Sequence, residues 1–508
     1  MFFDQNFGPL TEPATGRHWD RRVVAEQWRA RVGFFRAKDL APGDRVFLHH
    51  GNTLEFLIDL AAIWSLGGCA IPVDARLTSF EIETLARAAT PRFSLWKEVP
   101  DVLLASRLAS LGVETIDVGE AEAGPTRAGG GLSPVDLDRD ALILFTSGTT
   151  GDPKGVVHTH RTLRARWSAL KLSLGVEPFR RSLCLLPTHF GHGLICNCLF
   201  PWLSGHHLFI LPPFKADLLA DLGHLLDEHR ITFLSSVPAV WRLALKTSRP
   251  PRSATLQRVF CGSAPLSALL WEQVRSWTGT PEVWNAYGIT ETGSWLGGTS
   301  VPGFAPEDGL IGTAWGGEIR ILHSGETGAG FSPDLQCSPD ESGHVWVRTS
   351  ALMRGYFGRD DLTAAVVSSG WFLTGDIGVL DRRGWLFLRG REREEINKGG
   401  MKVYPGDIDA VAERFDETAD VCTFPLEDTL LGQEIGIALV LRDSTEESVR
   451  RLHEWMALHL AKHQMPKQWY LIDEIPRTSR GKINRALVAA RCAMLTPIEM
   501  RRLLRPRA

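Results

Sequence analysis

The residues best suited to chemistry lie in one run, Leu144–His160, LFTSGTTGDPKGVVHTH. An apolar strand, Ala141 to Phe145, empties into a loop of small and hydroxyl residues: Thr146, Ser147, Gly148, Thr149, Thr150 and Gly151. Glycines let backbone N–H groups curl toward an anion with no Cβ in the way. The hydroxyls add donors, and Lys154 adds a compact positive charge. That chemistry suits a polyphosphate. A mobile surface loop is the plain alternative, and the strand before the run and the lysine at its end argue against it. The run is not a Walker A loop, because Pro153 precedes Lys154 and Gly155 follows it, where that pattern needs Gly and then Ser or Thr.

Further chemically capable residues sit where apolar runs give out. A run at Leu183–Leu186 ends at Pro187-Thr188-His189-Phe190-Gly191-His192-Gly193. Arg258–Cys261 ends at Gly262-Ser263-Ala264-Pro265, and Glu282–Ala286 at Tyr287-Gly288-Ile289-Thr290-Glu291-Thr292-Gly293. In parallel sheets, ligands bind beyond the carboxyl ends of strands. The loops at 146–155, 187–193, 262–265 and 287–293 are therefore expected to converge.

The elements that must position them read as alternating helices and strands. Val24, Trp28, Val32 and Phe35 have helical spacing within 22–35. Leu54–Leu66 is apolar nearly all round and reads as a buried helix. Thr78 and Glu81 have capping-box spacing ahead of a helix to Ala88. Strands are expected at 45–49, 69–73, 138–144, 208–211 and 232–237. Such alternation predicts an α/β architecture with a mainly parallel sheet covered on both faces. From about Gly309 short strands with Gly turns take over, at 318–322, 344–348, 371–373, 377–380 and 385–388, which suggests a small β subdomain. A charge run at Gly390–Glu395 marks a boundary, and the rest suits a small α+β domain.

Composition narrows the class. The chain has 508 residues, more than one core usually serves. Its net charge of −3 gives no argument for nucleic acid or an anionic membrane. The eight cysteines are scattered without a CxxC pair, which fits a reducing, cytoplasmic setting. Met1-Phe2-Phe3-Asp4 does not read as a signal peptide, and no apolar run reaches the length of a spanning helix. Leu194–Leu203 is the most apolar stretch, and Asn197 and Pro201 interrupt it, so it reads as core.

Five motifs in fixed order resemble the adenylate-forming superfamily of acyl-CoA synthetases, peptide-synthetase adenylation domains and beetle luciferases. They are Phe145–Gly155 (FTSGTTGDPKG), Tyr287–Glu291 (YGITE), Thr374-Gly375-Asp376, Gly390–Asp409 (GREREEINKGGMKVYPGDID) and Pro476–Arg485 (PRTSRGKINR). The resemblance spans about residues 15–490. It implies a large N-terminal AMP-binding domain, 1–390, built of αβ-layered subdomains and a small β subdomain. A small mobile α+β domain, 391–508, would carry the catalytic lysine.

The resemblance also implies a reaction. A carboxylate attacks the α-phosphorus of ATP, pyrophosphate leaves, and the acyl-AMP is passed to a thiol. Bringing two anions together puts a premium on positive charge and positioning. Lys482 matches the catalytic lysine, and Glu291 and Thr146 match the residues that hold Mg²⁺. Tyr287 matches the aromatic stacked on adenine. Gly262, Ser263 and Ala264 would face the adenine edge, with Gly288 and Thr290 in the same motif as Tyr287. Asp376 and Arg391 match the pair on the ribose hydroxyls. Ser147–Gly151 and Lys154 would guide pyrophosphate. Arg393 falls at the hinge, where the family usually has Asp or Lys. Swinging there would exchange Lys482 for a loop whose Gly399 and Gly400 admit a pantetheine arm, with Lys402 beside them.

His189, Phe190 and His192 fall on the substrate loop. Peptide-synthetase domains place an Asp there to clamp an α-ammonium, and Pro187–Gly193 has no acid, so an α-amino acid is disfavoured. His189 and His192 could contact substrate or the thiol arm, or be packed histidines. Trp241, Trp284 and Trp295 would permit an aryl or medium apolar acid, or simply be core. The leading expectation is a carboxylate–CoA ligase using ATP, Mg²⁺ and coenzyme A. The alternatives are a stand-alone enzyme that loads an acyl or peptidyl carrier protein, with no carrier domain expected after the last motif, and a non-catalytic nucleotide-binding homologue. An oxidation of the adenylate, as in luciferases, is a remote further option.

Overall fold

The structure is a computed structural model that describes residues 6–119, 134–146, 154–213, 216–299, 305–323, 330–399, 401–478 and 481–500. Three hydrogen-bonded sheets organise them. In the first, the strands Asp140–Thr146, Cys69–Pro72, Arg45–Leu48, Phe93–Trp96 and Glu114–Asp117 lie parallel in that order. Lys154–Thr159 then folds back antiparallel on Asp140–Thr146, with Thr146 opposite Lys154, and Gly355–Tyr356 closes that edge. The lysine at the end of the loop is thereby held at the strand edge beside the residue that opens it.

The second sheet is the larger. Its parallel part runs His207–Ile210, Arg181–Cys184, Phe233–Ser236, Arg258–Gly262, Val283–Ile289. Ser294–Gly298 turns back on the last of these, and Leu310–Ala314, Leu386–Arg391, Trp371–Leu380, Ser342–Arg348 and Glu318–Leu322 continue antiparallel from it. The β-rich region is therefore bonded onto the edge of the αβ sheet. The third sheet has five strands, among them Ile396–Lys398, Thr418–Asp428, Gly432–Leu441 and Gln468–Leu471.

Helices cover the sheets as the patterning requires. Arg21–Ala37 is capped by Asp20 and buries Val24, Trp28, Val32 and Phe35. Every residue of Leu54–Ser65 is buried. Thr78 and Glu81 form the capping box of Ser79–Ala89. The buried Asp59 carboxylate of the second helix meets Arg31 at 2.7 Å and His50 at 2.9 Å, so this core charge is paired.

Two expectations need correction, and the core reading of a third stretch holds. The strand 283–289 runs through Tyr287 and Gly288 instead of ending before them, with a bulge between the two. At Gly288 a Cβ would lie 1.9 Å from the Ser294 carbonyl, so the back-turning strand needs glycine there. The separate strands expected at 371–373 and 377–380 are one strand, Trp371–Leu380, because Gly375 takes φ +71 inside the ladder. Leu194–Leu203 is fully buried, but Leu194–Leu199 lies in a π-helix, His192–Leu199, that runs into a short α-helix at Phe200–Leu203. Gly129–Gly131, a run of glycines that reads in the sequence as a flexible joint, lies outside the described residues.

Candidate active site

Three side chains borne by strands of the second sheet lock together. Tyr287 donates its hydroxyl to Asp376 Oδ2 at 2.5 Å, and Arg391 Nε meets Asp376 Oδ1 at 2.6 Å. The backbone N–H of Asp376 is held by Thr374 Oγ1 at 3.0 Å, and Arg391 also donates to the Thr374 carbonyl at 3.3 Å. The ladder makes this possible, since Asp376 and Arg391 face each other across paired strands. Burial, then the Asp376 charge, raise the Tyr287 phenol well above its ordinary range, so it stays a donor. Burial pulls the Arg391 guanidinium down, but Asp376, Tyr287 and Glu291 outweigh it, and its pKa is raised.

Glu291 lies in a one-turn 3₁₀ helix, Thr290–Thr292, directly after the Tyr287 strand. His158 donates from Nε2 to the Thr290 carbonyl at 2.8 Å, and the Met353 N–H donates to the Glu291 carbonyl at 2.7 Å. The Glu291 carboxylate accepts from the Tyr356 hydroxyl at 2.7 Å. Burial and that carboxylate push the Tyr356 phenol up. Lys154 Nζ sits 5.7 Å from the centre of the same Tyr356 ring, so the lysine of the first motif and the carboxylate of the second share one neighbour. A half-buried carboxylate oxygen is a hard donor, and it fits a divalent cation such as Mg²⁺. The Thr146 side chain, Ser147, Gly148, Thr149, Thr150 and Gly151 lie outside the described residues. Sequence reasoning gave Tyr356 no role. Its signal in the sequence is its place in Gly343–Gly358, a further stretch that resembles the adenylate-forming family.

The substrate loop separates its two histidines. His189 Nε2 lies 3.3 Å from Asp74 of the first sheet, so it clasps two sheets together. His192 is buried and points the other way, with Nδ1 2.9 Å from the Ser263 hydroxyl and Nε2 2.6 Å from the Ser235 hydroxyl. Burial, reinforced by the nearby Lys482 charge, lowers the His192 pKa to about 3, so the imidazole is neutral. Phe190 is buried, 6.0 Å from the His192 ring. Ser263 holds φ +65, an uncommon conformation for a side-chain-bearing residue, fixed here by its bond to His192. At Gly262 a Cβ would sit 2.2 Å from the Ala286 carbonyl, so the loop carrying Ser263 and Ala264 packs close to the Tyr287 strand. Ser235, which completes the His192 contacts, went unnoticed in the sequence because a lone serine inside an apolar strand carries no local signal.

Lys482 reaches this region from the third-sheet unit. Its turn is closed by the Thr478 N–H to the Lys482 carbonyl at 2.7 Å and by Gly481 N–H to Thr478 at 2.9 Å. A Cβ on Gly481 would lie 3.4 Å from Ala239 and 3.5 Å from Val237, so the turn rests on the start of the helix Pro238–Thr247. Two ion pairs join the same units, Arg242 with Glu413 and Arg414 with Asp308. Arg393 is exposed on a 3₁₀ turn, Glu392–Glu394, between the second and third sheets. Gly399, with φ +60, sits at the tip of the hairpin joining Ile396–Lys398 to Met401–Val403, and its N–H donates to the Leu431 carbonyl at 2.9 Å. Lys402 pairs with Glu395 at 3.4 Å, and Gly400 lies outside the described residues. Of the tryptophans, Trp295 adjoins His192, Trp284 stacks on Phe260, and Trp241 packs on Trp277 in another part of the core.

The family model of AMP-binding enzymes matches residues 15–357. An oxalate–CoA ligase of Arabidopsis thaliana is 28% identical over 94% of this chain and 97% of its own. A long-chain-fatty-acid–CoA ligase of Mycobacterium tuberculosis is 27% identical over 96% and 95%. The solved structure of the o-succinylbenzoate CoA synthetase of Bacillus subtilis, in complex with its acyl-adenylate intermediate, superimposes with a TM-score of 0.78 at 24% identity, covering 95% of each chain.

Proposed function

The chain belongs to the AMP-binding enzyme family, and we propose that it joins a carboxylic acid to the thiol of coenzyme A by way of an acyl adenylate. The observation that supports this is the buried cluster in which Asp376 accepts from Tyr287 and pairs with Arg391, with Lys482 near enough to His192 for its charge to be felt there. Relatives named for oxalate and for long-chain fatty acids share its length and reaction type.

In this reading each matched residue takes a role. Asp376, oriented by Tyr287 and Arg391, is the acceptor for the two ribose hydroxyls. The Gly262–Ala264 loop and the Tyr287 ring face the adenine. Lys154, with the Ser147–Gly151 loop, neutralises the departing pyrophosphate. Lys482 would lie between the incoming carboxylate and the ribose 5′ oxygen, where an ammonium offsets the repulsion of two anions. Glu291 and Thr146 would hold Mg²⁺, which when bound would neutralise charge on the phosphates. Residues 1–390 and 391–508 act as two domains with a hinge at Arg393. The docked orientation serves adenylation, and rotation would present the Gly399–Lys402 loop to the thiol. The eight free, buried cysteines support a reducing compartment such as the cytoplasm. No described helix is long and apolar enough to cross a membrane.

The test is acid-dependent pyrophosphate release from ATP and Mg²⁺, with and without coenzyme A. Release that coenzyme A accelerates, with AMP accumulating, supports the ligase. Release indifferent to coenzyme A but accelerated by a carrier protein bearing a pantetheine arm would replace the acceptor and keep the first half-reaction. ATP binding with no release for any acid would overturn the reading.

A further inference from the structure

Among the described residues, one group of three metal-ligating side chains gathers outside the site above. His323, Cys337 and Glu341 each offer one donor atom, and the three atoms lie within 4.8 Å of one another. They come from three short segments at the outer edge of the second sheet. His323 follows the edge strand Glu318–Leu322, Cys337 follows a 3₁₀ turn at Pro333–Leu335, and Glu341 precedes the neighbouring strand Ser342–Arg348. Backbone bonds hold all three in place. The His323 N–H donates to the Leu335 carbonyl at 2.8 Å, the Cys337 N–H to the Ile321 carbonyl at 2.9 Å, and the Glu341 N–H to the Ser338 carbonyl at 3.1 Å.

The spacing suits a tetrahedral ion. His323 Nε2 lies 3.5 Å from Glu341 Oε2, and two ligands with bonds of about 2 Å to such an ion are about 3.3 Å apart. The same carboxylate oxygen accepts from the Ser338 N–H at 3.0 Å, which orients it. Cys337 is 6% exposed, whereas the His323 and Glu341 side chains are 47% and 44% exposed. A soft donor thus forms the floor and two half-exposed donors form the rim. The sulfur has room because residue 343 is glycine, where a Cβ would lie 2.7 Å from Sγ. Its contact with the Ser342 carbonyl is long, at 3.9 Å, and is readily exchanged for a metal. Closing the remaining distance takes about 1 Å of side-chain movement, which half-exposed groups can make. A surface ion pair of His323 with Glu341 accounts for two of these groups and gives no reason for a sulfur to face the same point.

We propose that His323, Cys337 and Glu341 bind a divalent cation of the zinc class, with water in the fourth position. One thiolate, one imidazole and one carboxylate suit Zn²⁺ or Co²⁺ and are a poor set for Mg²⁺, which takes oxygen ligands. The thiol proton passes to solvent as the metal–sulfur bond forms. The bound ion ties the end of Glu318–Leu322 to the start of Ser342–Arg348 and so stabilises this edge of the sheet.

The experiment uses the full chain without an affinity tag, stripped with a chelator and then dialysed against Zn²⁺ or Co²⁺ alone. One equivalent of metal should bind, and a large excess of Mg²⁺ should not displace it. Bound Co²⁺ should give a thiolate-to-metal charge-transfer band, and Cys337→Ser should abolish it. His323→Gln and Glu341→Gln should each weaken binding by at least about tenfold, the lower end of what losing even an outer partner costs a metal site. Zn²⁺ should raise the Tm of the wild-type chain and raise that of each variant less. If Cys337→Ser does not fold, the two variants at half-exposed positions carry the test. No stoichiometric binding, a Co²⁺ complex without the thiolate band, or binding that survives all three substitutions overturns the inference. None of these outcomes involves acid activation, so the metal site and the ligase reading stand or fall separately.

Discussion

Replacing Arg242 with methionine should slow adenylation and spare thioester formation. Arg242 lies on the helix Pro238–Thr247 beside the strand ends, and its guanidinium pairs with Glu413 of the unit that carries Lys482. The side chains are 22% and 17% exposed, so the pair is largely withdrawn from water. Burial raises the Glu413 carboxyl, and the Arg242 charge and the Ser267 hydroxyl pull it back. Removing one partner of a buried pair costs about 3–5 kcal/mol, because the other charge is left uncompensated. Residual exposure and the option of taking up a proton reduce this to about 1–3 kcal/mol. That cost falls only on the docked orientation, where Glu413 meets Arg242. At about 1.4 kcal/mol per factor of ten, the docked population drops about 5- to 100-fold relative to the rotated one. The assay is acid-dependent ATP–pyrophosphate exchange beside thioester formation from preformed acyl-AMP. Exchange should fall by up to that factor and thioester formation should not. Methionine keeps the apolar stem of the arginine, so the helix should hold. The sign of the pH effect is fixed: protonation removes the uncompensated Glu413 charge, so the defect shrinks as pH is lowered. Equal losses in both half-reactions, or wild-type exchange in a folded variant, would refute the assignment of this pair to the adenylating orientation.

Lys482→Ala should reduce adenylation by at least about a hundredfold, the scale of a lost charge-stabilising group. Thioester formation from preformed acyl-AMP should survive better, and equal losses would remove Lys482 from its role. Asp376→Asn should raise the KM for ATP about tenfold or more, since a charged acceptor is worth about 1.5–3 kcal/mol. Tyr287→Phe, which removes one hydroxyl and leaves the Arg391 pair, should do less, and a reversed order would count against Asp376 as the ribose acceptor. His49, His158 and His192 are held neutral by burial, with pKa values lowered to about 3, 4 and 3. Because the unfolded chain binds those protons and the folded chain does not, their contribution is full above about pH 6.5 and is lost as pH falls below it, by at most about 1.4 kcal/mol per pH unit per histidine. The Tm should therefore fall steeply between pH 6.5 and 5, and a flat Tm over that range would contradict the burial.

What the sequence displayed and what it concealed divide along physical lines. Periodicity and turn chemistry are local, so the Leu54–Ser65 helix, the Thr78–Glu81 cap and the parallel strands were legible. The phosphate-loop strands were legible for the same reason: an apolar run stops where glycines and hydroxyls begin. Pairing between distant strands is not local. Asp376 reads as a turn residue after Thr-Gly, and only the ladder to Leu386–Arg391 turns it inward beside Arg391 and Tyr287. The two loop histidines make the same point at closer range. They are three residues apart, yet one ends on Asp74 and the other on two serine hydroxyls. Where each one points depends on side-chain direction at the start of a π-helix, and no spacing rule supplies that. A neutral, doubly bonded histidine cannot clamp an anion. Two residues less than one helical turn apart thus end on opposite partners, which is why motif spacing names the family and leaves side-chain direction to the fold.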